Sequence, residues 1–401
     1  MRVVFAAVLF TACTREVLPP HVAPPVQAPG HVEPMPGSLL DDQRRLEIAH
    51  GVVVDLAGRR VVRDLVGEHD YVQNEASDGE IAYEQIHRYD VIDDDVRAYR
   101  IASGELLWTA SQSCWSMVAT NGGLFCDDSM GHILLLRRGN GHAHVVGRLG
   151  WNVSVLARAG GRVVAVGRDV ARAATFDATT GAHIADLDLP ARMRVASTEA
   201  GRVCGVAGPT AFCFDASPQI LWTKTFAAPL VIRMADAYDM LVSTPNDSFA
   251  LSLVDGREDA WVHGSMSSLV RSEHGRLLGF VTQPPGVAFV DLDGRERWSH
   301  DAFSYADTTI AVVWGELIIV SAYSSICAGA SLAALDRASG MPRWIAPVQT
   351  LPIAHSAYST DVELRLERGA LIVRGRESME DYLEIFEPAT GHRELSVLGY
   401  R

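Results

Sequence analysis

The chain has 401 residues, 48% of them hydrophobic and 21% charged, which sets aside a disordered chain and allows a sizeable buried core. Its formal net charge of −14 sets aside nucleic acid as a partner, because phosphate backbones call for a basic face. The length fits two or three ordinary domains or one large architecture.

In chain order, the first element is "MRVVFAAVLFTAC". Arg2 opens it, an apolar run follows from Val3 to Phe10, and small residues precede Cys13. The run is too short to span a bilayer. It resembles a bacterial lipoprotein signal, which implies cleavage after residue 12 and lipidation of Cys13. Residues 13–40 then form the lipidated Cys and a tether dense in Pro19, Pro20, Pro24, Pro25, Pro29, Pro34 and Pro36. Proline at this density blocks helix and central strand and favours extended chain. The remaining 41–401 form the folded body.

That body is written in repeats. "VVDLAGRRVV" turns at Gly58, "YRIASGELLW" at Gly104, "LRRGNGHAHV" at Gly141 and "FDATTGAHIA" at Gly181. "FDASPQILW" has Pro218 at that place, and Gly256, Gly294, Gly340 and Gly391 continue the series. Successive spacings are 46, 37, 40, 37, 38, 38, 46 and 51 residues. Each unit carries an alternating apolar strand, a tight turn whose Gly supplies positive φ, and a second strand. Trp108, Trp222, Trp261, Trp298 and Trp344 follow their turns by four or five residues. Further strands such as "GGRVVAVGR" and "GELIIVSA" lie upstream of the turns. A four-stranded unit of this size cannot bury both faces alone, but repeated radially it becomes a propeller blade. The expected fold is therefore all-β, a β-propeller of eight four-stranded blades with seven as the alternative. Trp108, Trp222, Trp261, Trp298 and Trp344 are expected to dock between blades, with Gly104, Gly181, Gly256, Gly294, Gly340 and Gly391 at the turns. Nine turns in eight blades place Gly58 in a blade completed by C-terminal strands.

Two cysteine pairs flank short turns. In "VCGVAGPTAFCF", a Gly208–Pro209 loop brings Cys204 opposite Cys213, at a spacing that permits a disulfide. "CWSMVATNGGLFC" places Cys114 and Cys126 on either side of Asn121-Gly122. Cys327 is left over. Disulfides suit an exported protein.

Candidate chemistry is sparse. "DVIDDDVR" groups Asp90, Asp93, Asp94 and Asp95, but lacks the Gly and Glu spacing of a calcium loop and reads as a solvated acidic loop. "GHAHVV" sets His142 and His144 on one strand face, a spacing that serves a metal only with a third ligand. No third ligand stands out. Trp115, Trp151 and Trp314 fall outside the turn register and are candidates for a recognition surface or for core packing. No nucleophile elbow, phosphate-binding loop or zinc-protease motif is present.

The repeat resembles the PQQ-like propeller family, whose signature runs roughly Ala-x-Asp-x-x-Thr-Gly-x-x-x-Trp. "LAALDRASGMPRW", "AYRIASGELLW" and "TFDATTGAHIA" carry it best. Within that family the chain lacks the adjacent cysteines of quinoprotein dehydrogenases and has no C-x-x-C-H haem motif. With Cys13, the tether and the repeats together, it resembles the BamB-type lipoproteins of outer-membrane assembly. That resemblance implies a non-catalytic scaffold in the bacterial envelope, at the outer membrane and anchored by lipid alone, with other envelope proteins as partners and no cofactor or metal. A ligand- or carbohydrate-binding propeller and a quinoprotein-like dehydrogenase are the other classes, and a propeller by itself decides among none of them.

Overall fold

The computed structural model describes residues 46–49, 51–65, 71–87, 94–198, 201–217, 219–272, 274–282, 287–300, 308–324, 329–348, 362–367, 369–377 and 380–398. Cys13, the tether, Asp90, Asp93, Pro218 and Cys327 lie outside them. Every regular element among the described residues is a β-strand. Eight antiparallel sheets have four strands each, paired in sequence order. They are blades 1 to 8, spanning 71–111, 116–148, 153–188, 194–225, 231–263, 266–300, 308–347 and 362–398. First strands of neighbouring blades touch one another, so the first strand of each blade is innermost.

Blade 3 shows why these sequences make this sheet. Its strands are Val153–Ala159, Arg162–Gly167, Arg172–Asp177 and His183–Asp188. The middle two are buried almost throughout, because neighbouring blades cover both faces. That is why "VVAV" and "AATF" read as continuous apolar runs rather than alternations. The outer strand alternates towards solvent. Its turn is capped by Asp177, whose Oδ1 accepts the N–H groups of Thr179 (3.0 Å) and Thr180 (2.7 Å). Gly181 sits at φ 76° and donates to the Asp177 carbonyl at 2.9 Å. Blade 7 repeats the device with Asp336, drawn down to about 2 by hydrogen bonds from Arg343 and Ser339.

Tryptophan joins one blade to the next. Trp108 donates Nε1–H to the Arg138 carbonyl (2.9 Å), Trp222 to Leu253 (3.2 Å), Trp298 to Arg337 (2.9 Å) and Trp344 to Pro388 (3.0 Å). Each ring lies on the turn glycine of the following blade. A Cβ at Gly141, Gly256, Gly340 or Gly391 would stand 2.5–2.6 Å from a ring atom. Glycine is required there both by positive φ and by this close approach. Gly181 instead meets Val146.

Trp261 departs from the expected docking role. It is 53% exposed, and a Cβ at Gly294 of the next blade would meet nothing within 4 Å. The cause is a slip of one residue. Trp344 is four residues after its glycine and pairs with Ala334, whereas Trp261 is five after Gly256, and Ala260 holds the equivalent pairing with Ala250. One residue along a strand reverses the face.

Closure also differs from the expectation. The Gly58 turn belongs to a separate three-stranded sheet of Leu46–Ala49, Val52–Asp55 and Arg60–Asp64. The C-terminal strands already complete blade 8 by themselves. This wedge sheet is packed between the two ends of the ring: Val52, Val54 and Leu56 meet Ile372, Leu383 and Ile385 of blade 8, and Val53 and Leu65 meet Val72, Ile86 and Tyr99 of blade 1. Arg63 occupies the tryptophan slot, its stem over Gly104 and its Nη1 donating to the Ala102 carbonyl at 3.1 Å. Arg59 pairs with Glu394 across the other side.

Cys204 and Cys213 face each other in register and are bonded, with Cα atoms 4.1 Å apart. Cys114 and Cys126 are also bonded, at 5.4 Å. Cys114 lies just before the strand Ser116–Thr120, where Met117 is the residue opposite Cys126.

Candidate functional site

Antiparallel order puts the first-to-second and third-to-fourth turns of every blade at one end of the ring. The second-to-third loops and the links between blades share the other end. At that second end, blades 1 to 3 present three large side chains. Trp115, in the link from blade 1 to blade 2, is 62% exposed. Met130, in the adjoining loop of blade 2, is 76% exposed. Arg168, from the corresponding loop of blade 3, holds its guanidinium 5.5 Å from the Trp115 ring centroid, within cation–π range.

The rim is held firmly. The Trp115 N–H donates to the Asp127 carbonyl at 2.8 Å, and the neighbouring Cys114 is tied to Cys126. Asp128 accepts the N–H groups of Met130 (2.8 Å) and His132 (3.1 Å), and its Oδ2 lies 2.7 Å from His132 Nδ1. Burial works against the Asp128 carboxylate, but these bonds outweigh it and hold its pKa low. Asp127 goes the other way, raised chiefly by burial. Ser129, between the capped residues, takes φ 65°, a conformation few non-glycine residues adopt.

Behind the rim lies a polar network. Asp94 accepts from Gln85 Nε2 (2.7 Å) and Ser113 Oγ (3.0 Å) and lies 2.8 Å from His87 Nδ1. Burial would raise its pKa, yet the bonds from His87, Gln85 and Ser113 keep it below the ordinary value. Gln85 Oε1 in turn accepts the Cys114 N–H at 3.2 Å, which braces the link carrying Trp115. The residue types are those of a hydrolase triad, but the arrangement is not: the Ser113 hydroxyl bonds to the carboxylate, not to the imidazole that would deprotonate it. The network positions the rim.

The family described as "Outer membrane protein assembly factor BamB" matches residues 171–377, just over half of the chain. This chain belongs to that family. Among solved structures, BamB from Moraxella catarrhalis is similar at 12% identity, covering 81% of this chain and 93% of that one with a TM-score of 0.48. Sqt1 from Saccharomyces cerevisiae matches at 11% identity, covering 78% and 94%, with a TM-score of 0.49. Quinohemoprotein alcohol dehydrogenase from Comamonas testosteroni matches at 11%, covering 82% and 74%, with a TM-score of 0.42. No curated protein matches.

Other sequence candidates in this BamB-family chain fall elsewhere. Trp151 packs partly buried against a core containing Phe125 and Phe176, and Trp314 against the core of blades 7 and 8. Of the acidic run, Asp94 is absorbed in the network and Asp95 begins a strand. His142 and His144 lie with ring centroids 4.5 Å apart at the opposite end, on blade 2. Among the described residues no three His, Cys, Asp or Glu side chains gather as a metal site. Sequence reading missed Met130 and Arg168. The available signal was a bulky residue inside an otherwise small, acidic turn, "CDDSMGH".

Proposed function

We propose that this chain is a non-catalytic, lipid-anchored scaffold of the bacterial envelope that binds other envelope proteins in outer-membrane protein assembly. The observation that carries the reading is the rim of Trp115, Met130 and Arg168, three residue types enriched at the centre of protein interfaces, with Trp115 and Met130 exposed on a braced support. Family membership supports the partner class. The two disulfides support an oxidising compartment. Residues 1–12 act as the signal, Cys13 carries the lipid, and the tether up to residue 40 holds the propeller near the membrane. Binding uses shape: a rigid rim loses little entropy on docking.

The test is crosslinked capture from native membranes with full-length protein, Cys13→Ala and Trp115→Ser, read by mass spectrometry. The reading predicts β-barrel assembly components with the wild type and their loss in both variants. Undiminished recovery with Trp115→Ser contradicts the role of the rim. Retention of a sugar or small molecule in place of any protein moves the function to a ligand-binding propeller.

A further inference from the structure

The turn between third and fourth strands recurs around the ring, and an aspartate starts it in blades 3, 4, 6 and 7, as one starts the matching turn of the wedge sheet. Oδ1 of Asp55, Asp177, Asp215, Asp291 and Asp336 accepts the backbone N–H two residues on, at 3.1, 3.0, 3.0, 3.0 and 3.2 Å. Blades 5 and 8 have Ser252 and Glu387 there instead, blade 1 has Arg100 paired with Glu105, and blade 2 has Arg137. Arg137 stands at the start of its turn, and its carbonyl accepts the N–H groups of Asn140 (3.3 Å) and Gly141 (2.9 Å). The N–H two residues on belongs to Gly139, and among the described residues nothing accepts it. A Cβ at Gly139 would meet nothing within 4 Å, so the space beside this residue is open.

The surroundings are rich in donors. Arg137, Gly139, Asn140, His142 and His144 line one open depression. Asn140 Oδ1 already accepts the His142 N–H at 3.1 Å, which leaves the amide NH₂ as its free end. Arg137 makes no ion pair among the described residues. The carboxylates of the neighbouring turn, Asp78 and Glu80, are held by Arg138 at 3.0 and 2.6 Å. A guanidinium beside the two imidazoles opposes a metal cation and favours an anion with several acceptor oxygens.

We propose that this turn of blade 2 binds a phosphate-type oxyanion, which takes the place that an aspartate carboxylate holds in the turns of blades 3, 4, 6 and 7. A free phosphate and a lipid phosphate headgroup share that chemistry. The site lies at the end of the ring opposite Trp115 and stands apart from the scaffold reading.

The experiment uses the full chain carrying Cys13→Ala, so that no lipid anchor holds it to vesicles, with and without Arg137→Asp. Inorganic phosphate is titrated by calorimetry. Flotation is measured with phosphatidylcholine vesicles with and without phosphatidic acid. Arg137→Asp installs the carboxylate that starts the turns of blades 3, 4, 6 and 7, so it is expected to weaken binding about tenfold or more while leaving the thermal midpoint unchanged or higher. Binding of inorganic phosphate supports the site with a free-ion source; binding only to phosphatidic acid vesicles supports it with a headgroup source. Equal binding by the two proteins, or binding of neither probe, overturns it.

Discussion

The blade 7–8 seam and the wedge seam solve one packing problem with different chemistry. Between blades 7 and 8, Trp344 covers Gly391, hydrogen-bonds to Pro388 and sits in an apolar core with Leu364, Val373 and Phe386. Between the wedge sheet and blade 1, Arg63 fills the same slot over Gly104. Beside that seam, Glu84 shares the strand face of Ala82 and Ile86. Glu84 is fully buried, and among the described residues neither carboxylate oxygen has a hydrogen-bond partner. The regular seams are built for burial. The closing seam accepts ionisable side chains, at a cost in stability.

The largest effect is expected at the regular seam. Trp344→Ala removes the buried ring and one hydrogen bond and should destabilise by about 3–5 kcal/mol, read as a lower urea midpoint. A shift under about 1 kcal/mol would show that the tryptophans do not hold the blades together.

Glu84→Met should do the reverse. Burial pushes the Glu84 pKa well above its ordinary value. The folded chain therefore keeps it neutral, while the unfolded chain ionises above about pH 4.5, and stability is lost as pH rises from there towards the folded pKa. The variant should gain about 1–3 kcal/mol at pH 8 and much less at pH 4. Thermal midpoints at both pH values check this, and an equal gain at both removes the titration from the account.

Arg63→Ala, which takes the stem and one donor from the wedge seam, should cost about 1 kcal/mol. Trp261→Ser should change stability by no more than about 0.5 kcal/mol, because that ring does not dock. A cost near that of Trp344→Ala would mean that Trp261 is held by contacts other than the turn slot.

The fold was legible because each blade repeats its local rules. Asp, small residues and Gly at fixed offsets, followed by Trp, mark a turn whose bonds recur in blades 3 and 7. The register of Cys204 with Cys213 followed from counting outward from Gly208–Pro209. Trp261 was misread because proximity to a turn is visible in sequence, whereas strand face depends on a single residue of offset. Closure was misread because the Gly58 motif looks the same in a wedge sheet as in a blade. The rim was only partly visible. Trp115 stood out as an unassigned aromatic, but Arg168 comes from blade 3 and meets it only through the ring.

Trp115 and Trp261 are both exposed tryptophans, and only one is placed on the rim. The most direct measurement is photo-crosslinking in living cells from a light-activated residue at position 115, with position 261 as the matched control. The scaffold account predicts adducts with β-barrel assembly proteins from 115 and none from 261. Adducts from both positions alike, or none from 115, would contradict it.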